Sequence, residues 1–186
     1  MTERVIQARV KRKPDEKAME IAMEVFANPS ISLLDQLKVE AQILHPVLEA
    51  LRAELSKERA DELVAGAVRD WRREVIARLG SMMPGTPREK FERFMDANEQ
   101  RAAGGDVDFD WLRRDADVID VDVTGCRYAD LFHALDEPAL GAALACECDN
   151  HMADVVGPEL EYSRTQTIMG GASCCDFRFR LKDGES

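Results

Sequence analysis

Four of the chain's five cysteines fall within CECDNHMADVVGPELEYSRTQTIMGGASCC, from Cys146 to Cys175. Asp149, His151 and Arg164 lie among them, and the fifth, Cys126, stands upstream after Gly125. Thiols in such company support three kinds of chemistry. They pack as small apolar groups, since free cysteine is among the most often buried residue types. They hold a soft metal such as zinc. Or one of them, as a thiolate, attacks an electrophilic carbon while a carboxylate handles protons. The zinc set is Cys146, Cys148 and Cys175 with Cys126 or His151. Its C-x-C pair departs from the C-x-x-C pair of common zinc folds, and no second pair matches it. For the nucleophile, Asp149 follows Cys146 by three residues, which on a helix puts thiol and carboxylate on one face. A free thiol titrates near pKa ~8.5, so it needs a helix N-terminus, a cation or a base to react at neutral pH. Arg164 is the nearest cation in sequence. Of the histidines, His45 precedes a mid-helix proline and reads as structural, His133 as packed or exposed, and His151 as the one worth testing.

These residues need elements to position them. The first hundred residues read as helices. Asp15–Ala27 carries Met19, Ile21, Met23 and Phe26, with Asn28-Pro29 as a stop. Ser32 caps a second helix whose stripe is Leu34, Leu37, Ala41, Leu44, Leu48, Leu51 and Leu55. Pro46 inside it predicts a kink or break near His45. Lys57–Leu79 keeps helical spacing, and Gly80 reads as its stop. Thr86 and Pro87 open a helix that ends by Gly104-Gly105. GGDVDFDW reads as an acidic linker. From Asp117 to Thr124, Ile119, Val121 and Val123 alternate with Asp120, Asp122 and Thr124, a half-buried strand with a carboxylate-bearing face. Short helices follow at Tyr128–Leu135 and from Pro138 to about Ala145. Glu159–Met169 and Asp176–Lys182 read as a hairpin joined by a Gly-Gly turn. Strand parity then points Cys175 inward with Phe177 and Phe179, and turns Asp176 away to serve the turn.

The pattern predicts an α+β fold: a helical part over residues 1–105, then a small, mostly antiparallel sheet with short helices over 106–186, together one compact unit. The chain's 186 residues suffice for one sizeable core. Apolar content of 45% and charged content of 33% predict a soluble globular protein. No apolar run approaches the roughly 20 residues of a membrane span. The N-terminus lacks the apolar core of a secretory signal. An odd cysteine count in such a chain predicts free thiols in a reducing, cytoplasmic setting. A net charge of −11 argues against nucleic-acid binding, and the cluster Arg9, Lys11, Arg12 and Lys13 reads as a solvated end.

Cys126, Cys146-x-x-Asp149, Arg164-Thr165-x-Thr167 and Gly170-x-x-x-x-Cys175-Asp176-Phe177 together resemble the L-2-amino-thiazoline-4-carboxylic acid hydrolase family, from about Val118 to Phe179. The pieces are TGCRYADLFHAL, LACECD, SRTQTIMGG and CCDFRF. The resemblance implies a hydrolase acting on non-peptide C–N bonds, opening a cyclic amidine that carries a carboxylate to an N-carbamoyl amino acid. No cofactor is expected. Chemistry laid over the matched positions assigns Cys146 or Cys175 as nucleophile and Asp149 as general base or acid. It assigns Arg164 as carboxylate anchor and Thr165 or Thr167 as hydrogen-bond donors, with Cys126 beside them. Cys148 and Cys174 fall outside the pattern as bland thiols. The segment MGGASCCDFRF also resembles the end of 4-vinyl reductase type ligand-binding domains, some of which hold zinc through cysteines. That resemblance implies the alternative, a non-catalytic small-molecule sensor with or without zinc. Thr167 stands where an upstream cysteine is expected, which speaks against a zinc site of that type. A third expectation is a homodimer through the N-terminal helices.

Overall fold

The computed structural model describes residues 16–26 and 31–182. The basic cluster Arg9, Lys11, Arg12 and Lys13, together with Asp15 and the Asn28-Pro29 stop, lies outside the described residues. Four helices come first: α1 (Glu16–Phe26), α2 (Leu33–Glu54), α3 (Lys57–Met82) and α4 (Pro87–Ala103). Three of the starts have a local cause. The side chains of Ser32 and Ser56 accept the amides of Asp35 and Arg59. Thr86 and Glu89 form a capping box around Pro87 at the first helical position.

The expected stop at Gly80 and a break at Pro46 do not occur. Pro46 lies inside a continuous α2. It sits on the exposed side, as does Gln42, whose carbonyl loses its donor to the proline ring, so solvent can replace the missing bond. Gly80 also lies inside its helix, which runs on to Met82. It marks a close approach rather than an end. A Cβ at Gly80 would collide with the Asp154 carbonyl oxygen and stand 2.7 Å from the Val155 Cα. Both obstacles are backbone, so no rotamer change relieves them. We expect Gly80→Ala to cost a net ~1–2 kcal/mol, overpacking outweighing ~1 kcal/mol of helix propensity. A lowered denaturant midpoint at unchanged slope checks this; a stabilised variant would mean that the helix behind Gly80 shifts freely.

The sheet has four strands, β1 (Val107–Arg114), β2 (Val118–Cys126), β3 (Leu160–Ser163) and β4 (Cys175–Leu181), in the order β1-β2-β4-β3. All neighbours are antiparallel, so the fold is α+β. β1 replaces the expected linker. Val107, Phe109 and Trp111 alternate with aspartates, and Phe109 and Trp111 pair with Val123 and Val121. Alternation of this kind is the mark of a half-buried strand, hidden here by its acidic partners. On β2, Ile119, Val121 and Val123 are buried. The carboxylate-bearing face is an ion-pair surface rather than a site: Arg178 reaches Asp122 at 2.9 Å and Arg180 reaches Asp120 at 2.7 Å across the sheet.

β3 and β4 pair as a hairpin, but β3 is shorter than expected and no Gly-Gly turn joins them directly. From Arg164 the chain leaves the sheet. The Asp176 carboxylate takes the amides of Thr165 and Gln166, each at 2.9 Å, which removes them from strand pairing. A 3-10 turn, Ile168–Gly170, then leads to Gly171 at φ 92°, a left-handed conformation that glycine adopts without strain.

Between β2 and β3 lie α5 (Arg127–Ala134) and a helical run that changes type along its length. It begins as α6 (Pro138–Gly141), widens to a π turn (Ala142–Cys146), tightens to a 3-10 turn (Glu147–His151) and ends as α7 (Met152–Val156). Leu37, Leu48 and Val64 of the early helices pack with Tyr128, Phe132 and Leu144. Ile76, Phe91 and Met95 pack with Val121, Val155 and Phe179. Both apolar clusters therefore join the helical part to the sheet part. Arg52 grips buried Glu137 through two bonds of 2.5 and 2.9 Å, fastening α2 to the start of the helical run. Among the described residues, no helix is long and apolar enough to cross a membrane.

Candidate active site

A cavity of about 470 Å³ lies between the helices and the sheet. Among its lining residues are Cys126 at the end of β2, Cys146 and Asp149 on the helical run, Arg164 just after β3, and Cys175 at the start of β4. Cys148 lines it too. On a regular α-helix, residue 148 would sit about 200° from residue 146, on the far side. Cys146 packs with the cluster of Phe132 and Leu144 and Cys148 with that of Phe91 and Phe179, yet both line the cavity, so Cys148 is not outside the site as its place outside the motif implies. Single π turns of this kind often occur at functional sites. Gly141 permits the winding to seat, since a Cβ there would stand 2.5 Å from Phe132 Cγ and 2.7 Å from Met169 Sδ.

Arg164 organises this wall. Its guanidinium donates to Asp149 Oδ2 at 2.7 Å, to the Cys146 carbonyl at 3.2 Å and to Asn150 Oδ1 at 3.3 Å. Its Cζ also lies 5.3 Å from the centre of the Phe177 ring, a cation–π contact. The Arg164 side chain is only 8% exposed, against 31% for Asp149. Arg164 thus clamps the 3-10 turn and holds Asp149 in place beside the thiols.

The thiols themselves are not poised as thiolates. Burial, then the Asp149 carboxylate, push Cys146 up to about 12 despite the nearby Arg164 charge. Burial pushes Cys175 up to about 11, although its Sγ accepts the Ile168 amide at 3.2 Å. Burial also raises Cys126, and the amides of Ala129 and Tyr128 at the start of α5 only partly offset it. None of these amides closes a side-chain cap on Cys126. We therefore expect iodoacetamide to label Cys126, Cys146 and Cys175 more slowly at pH 7 than a small free thiol, with rates that climb as pH rises. Site-resolved mass spectrometry reads this; fast labelling of one of them at pH 7 would contradict it.

Thr165 and Thr167 are not brought to the cavity wall. The Thr165 hydroxyl donates to Asp176 at 2.6 Å, and the Thr167 hydroxyl accepts the Gly170 amide at 3.0 Å. Asp176 serves the loop, as strand parity implies. Burial alone would raise its carboxyl, but the Thr165 hydroxyl and the amides of Gln166 and Thr165 hold it at about 2, below its ordinary 3.8. A depressed carboxyl stabilises the fold above its ordinary value, and that contribution is lost as pH falls through about 2. The stability gap between wild type and Asp176→Asn should accordingly close between about pH 4 and pH 2, as acid titration of the unfolding midpoint would show. A gap constant across that range would remove the role.

The histidines work elsewhere. His133 Nε2 lies 3.0 Å from the Met169 carbonyl, His151 Nδ1 lies 3.1 Å from Asp154, and His45 lies 3.5 Å from Glu137. Cys174 Sγ accepts from the Gln166 side-chain Nε2 at 3.0 Å. Among the described residues, no three His, Cys, Asp or Glu side chains are grouped so as to hold a metal ion. The zinc set read from spacing is therefore not assembled. Tyr162 on β3 escaped the sequence reading. Its hydroxyl is buried with no hydrogen-bond partner among the described residues, and Asp149, Arg164, Cys175 and Cys146 are its ionisable neighbours. Burial, then Asp149, raise its pKa. No motif flags it; only the position of its pair Phe179, opposite on β4, gives a signal.

Fold and site together define an α+β protein with a thiol–carboxylate–guanidinium wall in a cavity between helices and sheet. The family model for L-2-amino-thiazoline-4-carboxylic acid hydrolase matches residues 36–179, most of the chain. The chain belongs to that family, and the match takes in the helices as well as the segment whose motifs resemble it. No curated protein matches the chain.

Proposed function

We propose that the cavity is an active site that hydrolyses a small cyclic amidine carrying a carboxylate, with 2-aminothiazoline carboxylates as the reference chemistry. The observation that supports this best is the meeting of Cys146, Asp149 and Arg164 on one cavity wall, with Arg164 bonded to Asp149 and to the Cys146 carbonyl. A protonated amidine beside Asp149 places a cation next to the Cys146 thiol and lowers its pKa on binding. Sγ then attacks C2. The bond from C2 to the ring sulfur breaks, and the thiol's proton passes to that sulfur through Asp149. Water adds to C2, Cys146 leaves as a thiol, and an N-carbamoyl amino acid with a free thiol remains. Both nitrogens stay on C2, so the bond broken is carbon–sulfur, and the net change is addition of one water. Arg164 faces the substrate carboxylate and steadies Asp149. Thr165 and Thr167 act behind the wall, through Asp176 and the turn.

The high thiol pKa values favour a second reading, a ligand-binding domain without turnover. Incubation with a panel of 2-aminothiazoline carboxylates, followed by titration of released thiol, separates the two. Silence across the panel, with binding retained, would leave the binding domain. The odd cysteine count supports a cytoplasmic setting for either reading. The exposed stripe Val39, Ile43 and Val47 on α2 supports a homodimer through the N-terminal helices, which sedimentation would test.

A further inference from the structure

Cys126, Cys146 and Cys175 lie toward one end of the cavity. Strand register places the rest. Val107 of β1 pairs with Cys126, and Cys175 of β4 pairs with Val123, so one end of the sheet holds the thiols. Moving along the sheet, Trp111 and Phe177 both pair with Val121, and Phe179 comes next. All of these but Ile119, the partner of Phe179, line the cavity. Four residues of strand separate Cys175 from Phe179, about 13 Å at the usual rise per residue. Phe94 and Met95 of α4 cover the aromatic end from the helical side. Cys126 and Cys146 pack with the other apolar cluster, whereas Cys148 packs among these aromatic residues and Arg164 lies over the Phe177 ring.

A single small ring with a carboxylate fits at the thiol end and leaves the aromatic end unfilled. Pockets of about 300–1,000 Å³ generally suit drug-sized ligands that bury most of their surface. A volume of 470 Å³ lies in that range. Resting on the reading above, we infer that the substrate is an amphiphile: a polar cyclic amidine carboxylate as the reacting head, carrying an apolar body of aromatic-ring size that lies along β1, β2 and β4. Phe109 and Trp111, whose rings meet edge to face at 5.6 Å, form the side wall for that body.

The test separates this inference from the hydrolysis reading by using probes that cannot be opened. The full chain is titrated with 2-aminothiazole-4-carboxylate and with its 5-phenyl derivative, both aromatic and inert, and binding is followed by calorimetry. The 5-phenyl compound should bind at least tenfold more tightly, the gain expected for removing one aromatic face from water. Val121→Phe, which puts bulk midway along the cavity, should erase most of that tenfold preference; Val121→Ala should keep it. Equal or weaker binding of the phenyl compound by the wild-type chain overturns the inference, even if the parent thiazoline is hydrolysed. Tighter phenyl binding with no turnover of any thiazoline upholds the inference about the cavity and sinks the hydrolase instead.

Discussion

Cys146→Ser should lose turnover of a 2-aminothiazoline carboxylate by a factor of about 10³ or more, with little change in the unfolding midpoint. The side chain is only partly buried, and serine is close to cysteine in size, so the wall keeps its shape. What is lost is a polarisable sulfur that can become an anion beside a bound cation. Cys146 is favoured over Cys175 because Asp149 is its main charged neighbour and lies three residues on. The Cys175 sulfur is already engaged by the Ile168 amide. The same argument sets the pH profile. A free-enzyme thiol at about 12 makes kcat/KM climb with pH through the neutral range, since the thiolate fraction grows with each unit below the pKa. Full activity in Cys146→Ser, or a loss confined to Cys175→Ser, would move or remove the nucleophile.

The second large effect belongs to Arg164. Arg164→Ala should cost about 2–3 kcal/mol of stability and nearly all activity. Removing one partner of a buried ion pair costs about 3–5 kcal/mol, and Asp149 is exposed enough to recover part of that through solvent. The carbonyl of Cys146 and the side chain of Asn150 lose their donor in the same change. Loss of the nearby cation also pushes the Cys146 thiol higher, since Arg164 is what lowers it. Arg164→Lys keeps the charge but not the planar fork that serves three acceptors, so it should recover stability only in part. Denaturant unfolding of the two variants, with turnover measured in parallel, tests this. Wild-type stability in Arg164→Ala would show that the 3-10 turn holds itself.

Much of this is legible in the sequence. Spacing alone yields the helical first half, the caps at Ser32 and Thr86, the alternation of β2 and the inward parity of Cys175, because these depend on periodicity and on neighbours a few residues away. The set Cys126, Cys146, Asp149, Arg164 and Cys175 also comes from the sequence, through its likeness to a family. Local rules misplaced a stop at Gly80 and allowed a break at Pro46 that does not occur, because what a residue faces decides its effect and that is set by packing. They misjudged β1 because its aspartates look like a linker until β2 pairs with it.

Only the tertiary structure decided how the site is built. The helical run passes from π to 3-10 winding, a turn-by-turn geometry that no fixed period encodes, and Cys148 within it lines the cavity. Threonines that match the motif turn out to serve Asp176 and a turn, since a hydroxyl bonds to whatever the fold brings nearest. The sequence by itself determined which reactive groups this protein carries and in what order. Their convergence on one wall, the burial that raises the thiols, and the aromatic length beyond them come from contacts between segments far apart in the chain. Those contacts depend on how helices and sheet pack, which local residue patterns do not specify.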